Sequence, residues 1–252
     1  MDDAASRLGA PRSVVPVSRM STVDLIVVEL RKAILAGDLA VGAPLGEVEI
    51  AAQLGVSRGP LREGAQRLVQ EGLLVAIPGR GLRVRRIATP AEIAALYEAR
   101  LAIESHAARR LAQRSDGAVT DELEAALATL TTVSEGTEAR PIGDADLEFH
   151  RQLVDLVDNA HLSAQISTLL AETRIASLSM PDGYQVRRSV SSTYRDLIDA
   201  IGAGDGEGAA EALALQFEAA VARLTGQDES TETVEAAVRD EPLSFNPIEP
   251  VE

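Results

Sequence analysis

The sequence predicts a mainly α-helical chain in two parts: a short N-terminal unit of three helices closed by a β-hairpin, then a longer unit of six helices. Three observations predict it. Among 252 residues 46% are hydrophobic but only 2% aromatic, with no Trp, so the cores must be built from Ala, Leu, Val and Ile, which suits closely packed helices. Serine or threonine caps and glycine stops recur at helical spacing along the chain. Strict alternation of apolar and polar residues is confined to one short stretch around a Pro-Gly turn.

The first helix opens at Ser21, with Asp24 three residues on as a capping-box relative, and runs to Gly37. Val23, Ile26, Val27, Leu30, Ile34 and Leu35 form its apolar stripe. A second short helix, EVEIAAQLG, ends at Gly55, and a third, RGPLREGAQRLVQEG, follows Ser57 and ends at Gly72. LLVAI, PGRG and LRVRR then read as a hairpin. Thr89-Pro90-Ala91-Glu92 starts the second unit with a cap, a proline at the first helical position and a glutamate three residues past the cap. Six helices are expected near 90–114, 119–135, 142–158, 161–180, 187–203 and 205–224. The domains are therefore expected at 21–88 and 89–226. Residues 1–20, rich in Pro, Ser and Arg, and the acidic 227–252 are expected to be flexible tails.

Charge and composition exclude several functions. There is no Cys and there are three His, which rules out disulfides and thiolate sites and leaves few routes to zinc sites or triads. No run approaches the roughly 18 apolar residues of a membrane span, and no signal-like stretch opens the chain, so a cytoplasmic protein without membrane partners is expected. The net charge is −15, yet it is segregated. Residues 1–88 hold 12 Arg/Lys against 9 Asp/Glu, whereas residues 89–252 hold 12 against 30. Within the first unit, seven arginines between positions 56 and 86 face only Glu63 and Glu71, a patch of the sign that phosphates require.

Helix, helix, glycine turn, Arg-bearing helix and basic hairpin form a winged helix-turn-helix, whose second motif helix enters the DNA major groove. Arg58 and Arg62, four apart, share a face of that helix and suit forked contacts to a guanine edge or a phosphate. Ser57 at the helix start can cap free N–H groups that also meet a phosphate. Arg80, between Gly79 and Gly81, is placed to reach the minor groove or backbone. An arginine on an exposed helix is also compatible with a solvated charge that contacts nothing.

Residues 20–86, above all VSRGPLREGAQRLVQEGLL followed by PGRG, resemble the winged-helix domain of the GntR family of bacterial regulators. The resemblance implies a DNA-contacting surface of Ser57, Arg58, Gly59, Pro60, Arg62 and Arg67, with Arg80 and Gly81 in the wing. Gly59 stands where the family often has Thr or Ser, Gly46 replaces a serine cap, and Gly64 replaces a helix-favouring Ala at a cost of roughly 1 kcal/mol. Residues 90–225 resemble the helical FCD domain of the FadR-like subfamily, in its shorter VanR-like branch, through YEARLAIESHAARRLA, DLEFH and AIGAGDGEGAAEAL. Many relatives hold a metal there through an Asp and three His, often completed by an effector's carboxylate.

Two of those four positions survive, as Asp146 and His150 at i and i+4; Tyr194 and Gln216 stand at the other two. Tyr and Gln are poor ligands for zinc-like metals. The pair therefore reads either as the remnant of a divalent-metal site or as a buried Asp–His pair lining a polar pocket. The expected effector pocket is Arg100, Asp146, His150, Arg174, Tyr194 and Gln216. Arg100 is expected to meet an effector's carboxylate or, alternatively, Glu104 four residues on. The whole then implies a homodimeric regulator, a repressor, on a palindromic operator, tuned by a small organic acid or related metabolite. The alternatives are a constitutive DNA-binding dimer with a degenerate sensor and a small helical hydrolase using Asp146 and His150.

Overall fold

The computed structural model describes residues 20–114, 117–136, 139–180 and 192–226. Residues 1–19 and 227–252 of the two expected tails, and residues 187–191 of the expected fifth bundle helix, lie outside the described residues. The fold class is as the sequence predicts. Helices α1 (Thr22–Ala36), α2 (Glu47–Gln53) and α3 (Arg58–Gln70) precede strands β1 (Leu74–Ile77) and β2 (Gly81–Val84). Helices α4 (Pro90–Ala112), α5 (Gly117–Ser134), α6 (Ala139–Asp155), α7 (Ala160–Leu178), α8 (Ser192–Gly202) and α9 (Gly206–Leu224) follow.

Local chemistry sets the boundaries. Ser21 and Thr89 each form a complete capping box, with Asp24 and Glu92 respectively, so two otherwise orphaned backbone donors are satisfied at each helix start. Gly37 ends α1 at φ 83°, a left-handed conformation that favours glycine. Helix α6 starts at Ala139, three residues before the expected 142, because Pro141 sits in its first turn, where a missing N–H breaks no helical bond.

Ile26, Val27, Leu30 and Ile34 of α1 are buried against Leu61, Ala65 and Leu68 of α3. Gly64 belongs to this contact, since a Cβ there would lie 2.9 Å from Ile26 Cγ2. The glycine that looked like a helix penalty is thus what lets α1 approach α3. In the wing, β1 and β2 pair antiparallel from Leu74↔Val84 to Ile77↔Gly81. Residues 42–45 add backbone bonds to β2, with Pro44 bridging Arg83, a third short segment that the alternation pattern did not reveal.

In the second unit α4 is central, packed by α6, α7, α8 and α9, while α5 covers α6 and α8. The two units meet along the C-terminal half of α7. Arg174 Nε donates to Leu35 O at 3.2 Å, Arg85 Nη1 pairs with Glu172 Oε1 at 2.5 Å, and Ile87 N donates to Ser179 Oγ at 3.4 Å. Among the described residues no helix is long and apolar enough to cross a membrane.

Candidate nucleic-acid interface and buried polar centre

The exposed site is built on α3 and the wing tip. Ser57 is the N-cap residue of α3 in extended conformation, but its side chain makes no capping bond, so the expected serine cap is not formed and the first-turn N–H groups stay open. Arg58 and Gly59 are exposed beside it and Pro60 occupies the first turn. Arg58 and Arg80 are exposed arginines without a hydrogen bond or ion pair among the described residues. Gly79 and Gly81, at φ 72° and 75°, turn the chain so that Arg80 stands at the tip.

The other two expected arginines are engaged within the chain. Arg62 Nε lies 2.6 Å from Glu47 Oε2 on α2, an exposed pair worth at most about 1 kcal/mol and open to exchange for an outside anion. Arg67 has two partners on the scaffold side, Asp24 at 2.7 Å and Glu63 at 3.2 Å. The Ser21 hydroxyl and backbone N–H, then Arg67, hold the Asp24 carboxyl below its ordinary range. Arg67 thus links α3 to α1 through Asp24, so of the expected DNA-facing arginines it is the one that spans two helices of the scaffold.

The second site is the interior of the helical bundle. Arg100 on α4 is 1% exposed and its Nε donates to Glu104 Oε1 at 2.9 Å. His150 on α6 bonds the other oxygen, with Nδ1 at 2.6 Å from Glu104 Oε2. Burial pushes the Glu104 carboxyl up, but Arg100 and His150 outweigh it, so it lies below the ordinary glutamate range. Burial likewise opposes the Arg100 charge, and Glu104, Tyr97 and Asp146 together more than restore it. The ionised Glu104 fixes the His150 Nδ1 proton and leaves Nε2 facing Asp146 Oδ1 at 4.0 Å. Tyr194 on α8 donates its hydroxyl to Asp146. Rings enclose the cluster: Phe217 lies 4.5 Å and Tyr97 5.1 Å from the Arg100 guanidinium carbon, and Phe149 meets Tyr194 edge-on at 5.0 Å.

Gln216 is 4% exposed on the buried stripe of α9, next to Phe217, whose ring centroid is 5.4 Å from that of His150. Arg174 does not join the cluster, because α7 turns it toward α1 and onto Asp144 Oδ1 at 3.2 Å, which corrects its assignment to the pocket. The carboxylate expected for Arg100 is supplied from within the chain by Glu104. Sequence reasoning weighed Glu104 only as Arg100's partner and missed Thr173, whose Oγ1 lies 3.5 Å from Arg100 Nη1; the i, i+4 spacing was the signal for Glu104.

The donor chemistry does not suit the divalent metal of related proteins. Asp146 accepts a hydrogen bond from the Tyr194 hydroxyl, and the remaining positions offer a phenol and an amide. Among the described residues no group of three or more His, Cys, Asp or Glu is arranged to hold an ion. A separate cavity of about 410 Å³ lies between the two units, lined by Arg31, Leu35, Glu71, Asp144, Arg151 and Arg174 among others. Its rim charges are already paired, Arg31 with Glu71 at 2.6 Å and Arg174 with Asp144.

A winged helix-turn-helix carrying unpaired arginines, joined to a helical domain with a polar interior, defines a DNA-binding regulator with an attached sensor. Residues 22–84 match the bacterial regulatory proteins of the gntR family and residues 95–219 match the FCD domain. A Paenarthrobacter nicotinovorans protein named "Probable D-xylose utilization operon transcriptional repressor" is 34% identical over 190 residues, 75% of this chain and 81% of its own length. A gluconate operon transcriptional repressor of Bacillus licheniformis is 27% identical over 146 residues, 58% of this chain and 59% of its own. A solved GntR structure from Rhodococcus sp. RHA1 superposes with TM-score 0.64 at 27% identity, covering 82% of this chain and 99% of that one. The chain belongs to the GntR family of transcriptional regulators, with a C-terminal FCD domain, and is not an enzyme. The hydrolase alternative falls with that assignment.

Proposed function

We propose that the protein is a repressor that binds a palindromic operator as a homodimer and changes its affinity when a small metabolite occupies the buried centre of the bundle. Relatives named as operon repressors support the sign of regulation. One winged helix reads few bases, so two half-sites in a dimer are needed for useful specificity. Arg58 and Arg62 read the major groove, the open first turn of α3 with Ser57, Gly59 and Pro60 takes a phosphate, and Arg80 with Gly81 reaches the minor groove or backbone.

The observation that carries the reading is the position of α7. Thr173 touches Arg100 in the buried centre, while its chain neighbours Glu172 and Arg174 hold β2's end and α1 of the winged unit. A ligand that engages Arg100 therefore acts one residue away from both inter-unit links. An effect on DNA requires that the ligand favour one arrangement of the winged units over another. A constitutive dimer with a degenerate sensor is less well supported, because a decayed interior would be expected to fill with apolar side chains, and this one retains buried polar atoms.

The test is to map bound DNA across the host genome and titrate the recovered operator by fluorescence anisotropy. A two-half-site operator bound by two chains is expected, with affinity that responds to metabolites of the adjacent operon. Failure to recover any specific site would overturn the reading.

A further inference from the structure

We propose that the centre of the bundle binds, without a metal ion, a neutral polyhydroxylated molecule of the sugar or polyol class. The inference rests on the reading of this centre as the effector site and narrows its ligand. Its starting point is a hydrogen-bond account. Among the described residues, the buried side-chain nitrogen and oxygen atoms without a partner are Arg100 Nη2 and both amide atoms of Gln216. Buried polar groups are rarely left so, since each costs free energy when unpaired. The centre thus asks for at least one acceptor each for Arg100 Nη2 and the Gln216 amide nitrogen, and for at least one donor to the Gln216 carbonyl.

Charge decides what can supply them. Arg100 is already neutralised by Glu104, at 2.9 Å and fully buried. Asp146 adds a second carboxyl group to the cluster, already faced by His150 and Tyr194. A carboxylate would bring a further negative charge into a buried centre whose arginine is already neutralised, at a large desolvation cost. It would also offer only acceptors and leave the Gln216 carbonyl unpaired. A hydroxyl is both donor and acceptor, so two or three on one carbon skeleton satisfy all three atoms without adding charge. Tyr97, Phe149, Tyr194 and Phe217 wall the centre with rings, an apolar setting that suits a skeleton carrying C–H surface as well as hydroxyls. Asp146, with 24% of its side chain exposed, is the member of the cluster that reaches the surface.

The test uses the full chain, dialysed against chelator, with matched probes that share a skeleton and differ in charge: D-xylose and xylitol against D-xylonate, D-glucose and sorbitol against D-gluconate and D-glucuronate, and succinate. Thermal unfolding and operator affinity are read for each, with and without added Zn²⁺. The expected result is that a neutral member raises the unfolding temperature without metal, while its charged counterpart at equal concentration binds at least tenfold more weakly. In Gln216→Leu and the near-isosteric Gln216→Met, the unliganded protein should unfold at the wild-type temperature or above, since an unsatisfied amide is removed, and affinity for the neutral probe should fall tenfold or more. If neither variant folds, the wild-type panel decides alone. The inference is overturned if a charged probe binds as well as its neutral counterpart, if binding requires Zn²⁺, or if no probe stabilises a protein that binds its operator. Those outcomes leave the regulator standing, whereas loss of operator binding in every condition would break the regulator reading instead.

Discussion

The winged unit and the bundle interior treat arginine in opposite ways. On α3 and the wing tip, Arg58 and Arg80 stand exposed and unpaired, and the exposed Arg62 pairs with the half-buried Glu47. In the bundle, Arg100 is enclosed by aromatic rings and cancelled by a glutamate that also fixes His150. An exposed charge keeps its long-range pull on a polyanion. A buried, neutralised one keeps only its directional hydrogen bonds. The same residue type therefore supplies electrostatic attraction in one region and ligand geometry in the other.

The strongest way to break this contrast is to remove Glu104. Glu104→Leu leaves Arg100 and His150 buried without their anion, and should cost about 3–5 kcal/mol in urea denaturation. Adding Arg100→Met should recover a large part of that loss, because an apolar pair can replace a buried ion pair at little cost. A Glu104→Leu protein of wild-type stability would show that the pair is not a structural unit.

Next in size is the division among the α3 arginines. Arg58→Ala should weaken specific operator binding by about 1–3 kcal/mol with unfolding unchanged. Arg67→Ala should change operator binding far less and lower stability instead, since its bonds run to Asp24 and Glu63. Anisotropy and denaturation on both variants separate the roles, and the reverse ranking would contradict the placement of Arg67.

Gly64→Ala sharpens the account of the scaffold. The added methyl gains roughly 1 kcal/mol of helix propensity but must displace Ile26 at a cost of about 1–3 kcal/mol. A net loss of up to about 2 kcal/mol is expected in the melting curve, and clear stabilisation would show that α1 yields easily.

The smallest effect concerns acid. Glu104's folded pKa lies below its unfolded one, so the stability it contributes is complete above the ordinary glutamate value near about 4.3 and is lost as pH falls through the folded value. Stability against pH should therefore decline less steeply at the acid end in Glu104→Gln than in the wild type.

Much of this was legible in the residues. Ser21 with Asp24 and Thr89 with Glu92 marked two helix starts because a capping box is a local pattern. The PGRG turn between alternating residues marked the wing. What stayed hidden was set by contacts distant in sequence. Glu104 meets His150 forty-six positions away, and nothing in the local pattern of either residue encodes that meeting. Arg174 was misplaced because α7 is covered on both sides, by the bundle and by α1, so Thr173, Arg174, Ile175, Ala176 and Ser177 are all buried and no single stripe tells which face looks where. Gly64 was read for its propensity, while its packing role depends on how closely α1 approaches.

The most direct measurement of the central claim is operator affinity as a function of salt, for the wild type and Arg58→Ala, on DNA recovered by genome-wide mapping. Exposed arginines that meet phosphates release counterions, so log affinity should fall steeply and linearly with log salt despite a net charge of −15. Arg58→Ala should lose specificity, a shallower slope, or both. A flat salt response, or equal binding to operator and random DNA, would contradict the account.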